Sequence, residues 1–61
     1  MITPAEQRVL DLLCEGKPNK LIAHELGLAT VTVKLHMRQI MKKLGVTNRT
    51  QAALKTIGVQ R

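Results

Sequence analysis

The chain has 61 residues, a net charge of +6 and no Phe, Tyr or Trp. That length allows one small domain, residues 1–61, with an aliphatic core, and the lack of aromatic stacking argues against an RNA-recognition sheet or a single-strand binder. The charge is one-sided, because residues 1–30 hold three basic and four acidic side chains whereas residues 31–61 hold seven basic and no acidic ones. This layout is typical of nucleic-acid binders, although a solvated basic face or a membrane-surface helix explains the charge equally well.

The first predicted helix spans residues 4–15. Thr3 suits an N-cap, Pro4 suits the first helical turn, and Glu6 completes a capping box with Thr3. Gly16 is the predicted stop, because glycine accepts the left-handed conformation found at helix C-termini. Apolar residues at helical spacing predict the inner face: Ala5, Val9, Leu12 and Leu13.

A second, shorter helix is predicted for residues 20–26. We interpret Asn19 as its N-cap rather than as a DNA contact, because a cap accounts for this residue without any ligand. Gly27 is the predicted end of the helix. Its inner face is formed by three apolar residues: Ile22, Ala23 and Leu26.

The third helix, predicted for residues 30–44, has two contrasting faces. At about 100° per residue, one sector collects apolar side chains: Val33, Met37, Ile40 and Leu44. The opposite side combines basic and apolar residues: Val31, Lys34, Leu35, Arg38 and Lys42. Lys and Arg donate to guanine acceptors or neutralise phosphates, and an outward Leu35 or Val31 can contact a thymine methyl group. A solvated helix face with stray apolar residues is the alternative.

The fourth helix is predicted for residues 49–57, with Asn48 and Gln51 as a second capping box and Gly58 as its end. Its apolar stripe consists of three residues: Ala53, Leu54 and Ile57. No segment alternates as a strand does, so the sequence predicts an all-α, compact four-helix domain. The second and third helices, joined by a turn at Gly27, form a predicted helix-turn-helix.

The remaining polar residues predict neither catalysis nor a cofactor. Cys14 allows no internal disulfide and stands late in a helix, where the dipole disfavours a thiolate, so we expect an unreactive thiol in a reducing compartment. His24 and His36 match no zinc pattern, and we expect His36 to pack or hydrogen-bond at the helix junction. We therefore expect no enzyme, no metal, no cofactor and no small-molecule ligand. Without a signal peptide or a membrane-length apolar stretch, we expect a cytoplasmic protein.

Three runs of residues, in this order and spacing, resemble one family. Residues 3–6 (Thr-Pro-Ala-Glu) are similar to its opening, residues 32–36 (Thr-Val-Lys-Leu-His) to the start of its recognition helix, and residues 43–50 to its end. This is the LuxR-type domain, also called the NarL/FixJ or GerE type, and the resemblance covers about residues 3–53. It implies the C-terminal effector domain of a bacterial response regulator, which binds double-stranded DNA as a homodimer through its fourth helix. RNA polymerase is a further candidate partner.

The resemblance also implies roles for individual residues. Base contacts are implied for three of them: Lys34, Leu35 and Arg38. Phosphate contacts are implied for four: Lys20, Thr30, Thr32 and Lys42. Dimer contacts are implied for three residues of the fourth helix: Ala52, Ala53 and Thr56. Arg49 has two candidate roles of equal weight, a phosphate contact and an ion pair with the acidic first helix.

Two positions depart from the family pattern. Ala29 stands where Ser or Thr usually caps the third helix, which leaves Thr30 as an alternative cap, and Leu21 replaces a polar residue and predicts an exposed apolar spot. Competing interpretations are a sigma-factor-like promoter-reading domain, a protein-interaction module for an acidic partner, and a cationic membrane-surface peptide. The match at residues 43–50 speaks against the first, and the capped segments with stop glycines speak against the last.

Overall fold

The computed structural model describes the backbone of residues 1–60 and the side chains of residues 1–56. Four helices follow one another: α1 (Pro4–Cys14), α2 (Asn19–Leu26), α3 (Thr30–Leu44) and α4 (Arg49–Gln60). Within residues 1–60 no strand is present, which confirms the predicted all-α, four-helix class. The first three helices match their predicted bounds to within one residue. The prediction that Gly58 ends α4 is wrong, because the helix continues to Gln60.

The core is aliphatic and receives side chains from all four helices. Its buried members are Val9, Leu10, Leu13, Ile22, Ala23, Val33, Met37, Ile40 and Ala52. The predicted inner face of α3 is confirmed, with Leu44 partly buried at its end. The predicted inner face of α1 needs two corrections, because Ala5 is exposed and Leu10, which was not predicted, is buried. Burial of these side chains fixes α3 against both α1 and α2.

The turn between α2 and α3 is short because a glycine ends α2. Gly27 adopts a φ of +67°, in the left-handed region that glycine enters without strain. The N–H of Leu28 then donates to the carbonyl oxygen of Ala23 at 2.9 Å, which closes the C-terminus of α2. The predicted stop is confirmed, and α3 begins three residues later.

The start of α1 is the predicted capping box with an ion pair added. The N–H of Glu6 donates to Oγ1 of Thr3 at 3.2 Å, and the N–H of Thr3 donates to Oε1 of Glu6 at 2.9 Å. The ammonium group of Lys43 also binds Glu6 Oε1, at 2.6 Å, and so ties α3 to α1. The hydrogen bond from Lys43 is the main cause that lowers the pKa of Glu6 from 4.5 to about 2. Only 2% of Glu6 is exposed, so this carboxylate is part of the packed interior.

The start of α4 only partly follows the predicted capping box. The N–H of Gln51 donates to Oδ1 of Asn48 at 2.9 Å, as predicted. The side chain of Gln51 does not return to the Asn48 backbone and instead accepts from the N–H of Thr47, at 3.1 Å. Along the predicted apolar stripe, Leu54 is 63% exposed, and the side chain of Ile57 lies outside the described residues. Among the described side chains of α4, Ala52 is fully buried, and Ala53 of the predicted stripe is partly buried against the core.

Candidate nucleic-acid interface

The outer face of α3 is built on a helix whose inner face is completely packed. Val33, Met37 and Ile40 anchor the helix in the core, which fixes the direction of the side chains on the opposite side. Three of these are the predicted base contacts, which are all exposed: Lys34, Leu35 and Arg38. Together with Val31 they line one shallow surface groove. The structure therefore brings the predicted base contacts together on one rigid surface.

The predicted phosphate contacts lie on α2 and α3. Lys20, Thr30 and Lys42 are exposed, and Thr32 is half-buried. Lys42 borders a second depression, lined also by Thr3, Glu6, His36, Gln39 and Lys43. Their contacts with phosphates stay predictions.

The ion pairs of the chain leave this basic surface unneutralised. Among the side chains of residues 1–56, only two lysines pair with carboxylates. Lys17 binds Glu15 and Glu25 at 3.1 and 2.9 Å, and these partners raise its pKa, whereas Lys43 binds Glu6. Neither Lys34 nor Arg38 belongs to any of these pairs. Their charges remain available to an anionic ligand.

Arg49 forms no ion pair with α1 among the described residues, and its phosphate contact stays a prediction. Its guanidinium donates to Oδ1 of Asn19 at 2.9 Å and to the carbonyl oxygen of Lys17 at 2.7 Å. Both bonds are intramolecular and join the start of α4 to the start of α2. The prediction that Asn19 caps α2 is wrong. Pro18 is the N-cap residue, with no side-chain hydrogen bond, and the amide of Asn19 is taken by Arg49.

The two departures from the family pattern have different outcomes. Thr30 does not replace Ala29 as the cap: α3 begins at Thr30, and Ala29 is its N-cap residue, without a side-chain hydrogen bond. The apolar spot expected at Leu21 is present, because this side chain is 41% exposed. The start of the recognition helix is therefore left without the local cap that a Ser or Thr provides.

The predicted dimer residues do not all lie on the surface of α4. Ala52 has no exposed surface and belongs to the monomer core, so it cannot contact a second chain and is removed from the set. Ala53 and Thr56 are half-buried and keep some accessible surface. The hydroxyl of Thr56 donates to the carbonyl oxygen of Ala52 at 2.9 Å. Dimer contacts by Ala53 and Thr56 remain a prediction.

Of the two histidines and the cysteine, His24 is exposed, whereas His36 and Cys14 are half-buried. His36 is half-buried, and its Nδ1 atom is buried without a hydrogen-bond partner among residues 1–56, so it packs rather than bonds through that atom. Burial, together with the nearby Asp11, raises the pKa of the Cys14 thiol, which is expected of an unreactive thiol. Within the described residues no group of three His, Cys, Asp or Glu side chains is placed to hold a metal ion. In the same part of the chain, no helix is both long and apolar enough to span a bilayer.

A short helix, a turn at Gly27 and a longer helix with a free cationic face define a helix-turn-helix DNA-binding domain. A comparison with known families agrees with this class. The family described as "Bacterial regulatory proteins, luxR family" matches residues 1–56. The chain belongs to this family, which confirms the resemblance seen in the sequence and makes it the DNA-binding domain of a transcription regulator.

Several relatives are response regulators or other transcription regulators. The nitrate/nitrite response regulator protein NarL of Escherichia coli (strain K12) is 40% identical over 53 residues, which are 87% of this chain and 24% of NarL. The transcriptional regulatory protein LiaR of Bacillus subtilis (strain 168) is 47% identical over 53 residues, or 87% of this chain and 25% of LiaR. The HTH-type transcriptional regulator MalT of Vibrio cholerae is 43% identical over 51 residues, or 84% of this chain and 6% of MalT. The chain thus spans about a quarter of the length of NarL and LiaR.

Proposed function

We propose that this domain places α3 in the major groove of double-stranded DNA and reads a specific sequence there. The observation that carries the proposal is the outer face of α3, where Lys34, Leu35 and Arg38 are exposed on one groove. Lys34 and Arg38 pair with no carboxylate among the described side chains. A buried inner face holds the same helix rigidly. A recognition helix needs both properties, because base contacts demand a fixed position for each donor.

The roles divide between base contacts and phosphate contacts. Lys34 and Arg38 donate to the O6 and N7 acceptors of guanine, and Leu35 packs on a thymine methyl group. Four residues contact phosphates: Lys20, Thr30, Thr32 and Lys42. Arg49 is not included, because its guanidinium is bound to Asn19 and Lys17. Phosphate neutralisation supplies most of the affinity, and the base contacts supply the specificity.

We further propose that the domain acts as a homodimer and as the C-terminal effector domain of a longer regulator. A single helix-turn-helix has a small footprint, and two copies on adjacent half-sites enlarge it. Ala53 and Thr56 of α4 are the retained dimer candidates, and Leu54, which is 63% exposed, adds apolar surface to the same helix. The domain binds rather than catalyses, works in the cytoplasm because bacterial chromosomal DNA lies there, and has RNA polymerase as a further partner.

The test is a salt titration of DNA binding with a double variant. Lys34→Ala/Arg38→Ala removes two proposed base contacts, each worth about 1–3 kcal/mol. We expect it to lose sequence-specific binding, measured by fluorescence anisotropy on a duplex selected from a random library. The matched control is Arg8→Ala/Lys17→Ala, which removes the same net charge from α1 and from the turn that follows it.

The two variants separate a specific interface from general charge attraction. If the control weakens binding as much as Lys34→Ala/Arg38→Ala does, net charge and not the face of α3 governs binding, and the proposal is wrong. Circular dichroism on both variants checks that they remain folded. A wild-type protein that is folded and binds no duplex, even after forced dimerisation, also contradicts the proposal.

A further inference from the structure

Val31 is an exposed apolar residue that the fold itself does not explain. It lies in the first turn of α3 and is 73% exposed, far more than any residue of the core. Burial therefore gives it little stabilising role. Valine is also a poorer helix former than alanine, because its branched side chain loses rotamer freedom in a helix. Neither packing nor helix propensity accounts for valine at this position.

The surroundings of Val31 are those of the proposed base contacts. Val31 and Leu35 are four residues apart, so they lie one above the other on the same side of α3. Both line the groove that also contains Lys34 and Arg38. An apolar patch is thus bordered by two cations that pair with no carboxylate among residues 1–56. Such a surface is complementary to a ligand that is anionic and also presents an apolar group.

The thymine side of the major groove has these two properties. Thymine alone of the four bases presents a C5-methyl group there, beside the phosphate backbone and next to the acceptors of neighbouring guanines. In a helix-turn-helix, residues near the N-terminus of the recognition helix contact the base edges. Val31 is the second residue of α3, which places it among those residues.

We propose that Val31 is a specificity-determining residue that packs against the methyl group of a thymine in the target site. This inference rests on the proposed docking of α3 in the major groove. Leu35 is less exposed, at 51%, and lies one turn further along the helix. The two side chains therefore contact different positions of the site.

The experiment removes the methyl group from the DNA and the side chain from the protein. A duplex selected by the wild-type chain is synthesised with each thymine replaced singly by deoxyuridine, which lacks only the C5-methyl group. At one position, we expect the replacement to weaken wild-type binding by about fourfold, the value of one buried methyl group. Val31→Ala should bind the thymine duplex more weakly than wild type by about the same factor. Its affinity should not change when deoxyuridine replaces thymine at that position. Leu35→Ala should keep the discrimination there.

Misfolding cannot produce this pattern. Alanine is the better helix former, so Val31→Ala leaves the fold at least as stable, which a urea unfolding curve checks. If every thymine-to-deoxyuridine change affects wild type and Val31→Ala equally, the role of Val31 is overturned, while the loss of binding by Lys34→Ala/Arg38→Ala still supports the proposed function. If the folded wild type selects no duplex, the proposed function fails and the role of Val31 fails with it.

Discussion

The four helices begin in two different ways. α1 and α4 start with side-chain caps, from Thr3 and Glu6 in one case and from Asn48 in the other. α2 and α3, the two helices of the helix-turn-helix, start at Pro18 and Ala29 with no side-chain cap at all. The helices that frame the domain are thus fixed locally, whereas the helix-turn-helix pair is fixed by packing against them.

This difference separates two tasks within one small chain. A cap stabilises a helix through its own neighbours in sequence, and so helps α1 and α4 to form. The first turns of α2 and α3 instead carry exposed residues with proposed DNA contacts, among them Lys20, Thr30 and Val31. Their stability depends on tertiary bonds and on the aliphatic core. Substitutions at the starts of α1 and α4 should therefore change stability through local caps, whereas those at the starts of α2 and α3 should do so through tertiary contacts.

The largest effect is expected at the cap of α1. The pKa of Glu6 lies at about 2, below its usual 4.5, chiefly because Lys43 donates to the carboxylate. The ionised group therefore stabilises the fold fully above about pH 4.5, and this contribution is lost as the pH falls toward 2. We expect the urea midpoint of wild type to fall steeply over this window. Glu6→Gln keeps a cap acceptor but not the charge. Its urea midpoint should therefore be lower than that of wild type at pH 5 and should fall less as the pH is lowered.

The control for this prediction is Glu15→Gln, the same substitution at an exposed carboxylate whose partner Lys17 also binds Glu25. It should leave the acid dependence of wild type in place. Parallel curves for wild type and Glu6→Gln between pH 5 and 2 would show that the pair of Glu6 with Lys43 does not govern acid stability.

A capping box is predictable from sequence because its partners are three residues apart. The same holds for the stop at Gly27 and for the inner face of α3, which depend on local spacing. The bond of Lys43 to Glu6 joins residues 37 positions apart, so no local sequence pattern predicts it. The exposed outer face of α3 was predictable as the complement of its core face, whereas the base contacts proposed for it come from the family resemblance and stay a prediction.

The next largest effect is expected at Arg49, which joins the capped start of α4 to the uncapped start of α2. Arg49→Ala leaves Oδ1 of Asn19 and the carbonyl oxygen of Lys17 without their donor. We expect a loss of about 1–3 kcal/mol in the free energy of unfolding, measured by urea denaturation. Arg49→Lys should recover only part of it, because an ammonium group lacks the two-pronged geometry of the guanidinium. The salt dependence of DNA binding should be unchanged in Arg49→Ala. If the variant instead keeps full stability and its salt slope falls by about 1, Arg49 contacts a phosphate and does not join the two helices.

Asn19 and Ala52 differ from their predicted roles for separate reasons. Asn19 has the side chain of an N-cap, but a guanidinium 30 residues away bonds to its amide, and such competition is invisible in a local pattern. α4 contains the neighbouring small residues Ala52 and Ala53, whose hydrophobicity does not tell which one points inward. The packing of α4 against α1 and α3 decides this and buries Ala52.

The smallest effect, a gain in stability, is expected at the start of α3. Ala29 is exposed and has φ −73° and ψ 147°, the extended backbone of an N-cap residue, but it has no oxygen with which to accept from the helix. Ala29→Ser supplies that acceptor and should raise the free energy of unfolding by about 0.5–1 kcal/mol. The matched control is Ala5→Ser, the same substitution at an exposed position inside the first turn of α1, which should lower stability slightly through helix propensity. If Ala29→Ser gives no gain over Ala5→Ser, the start of α3 is already held as firmly by packing as a cap would hold it. In that case the capped and uncapped helices differ in the kind of contact that fixes them but not in how stably they begin.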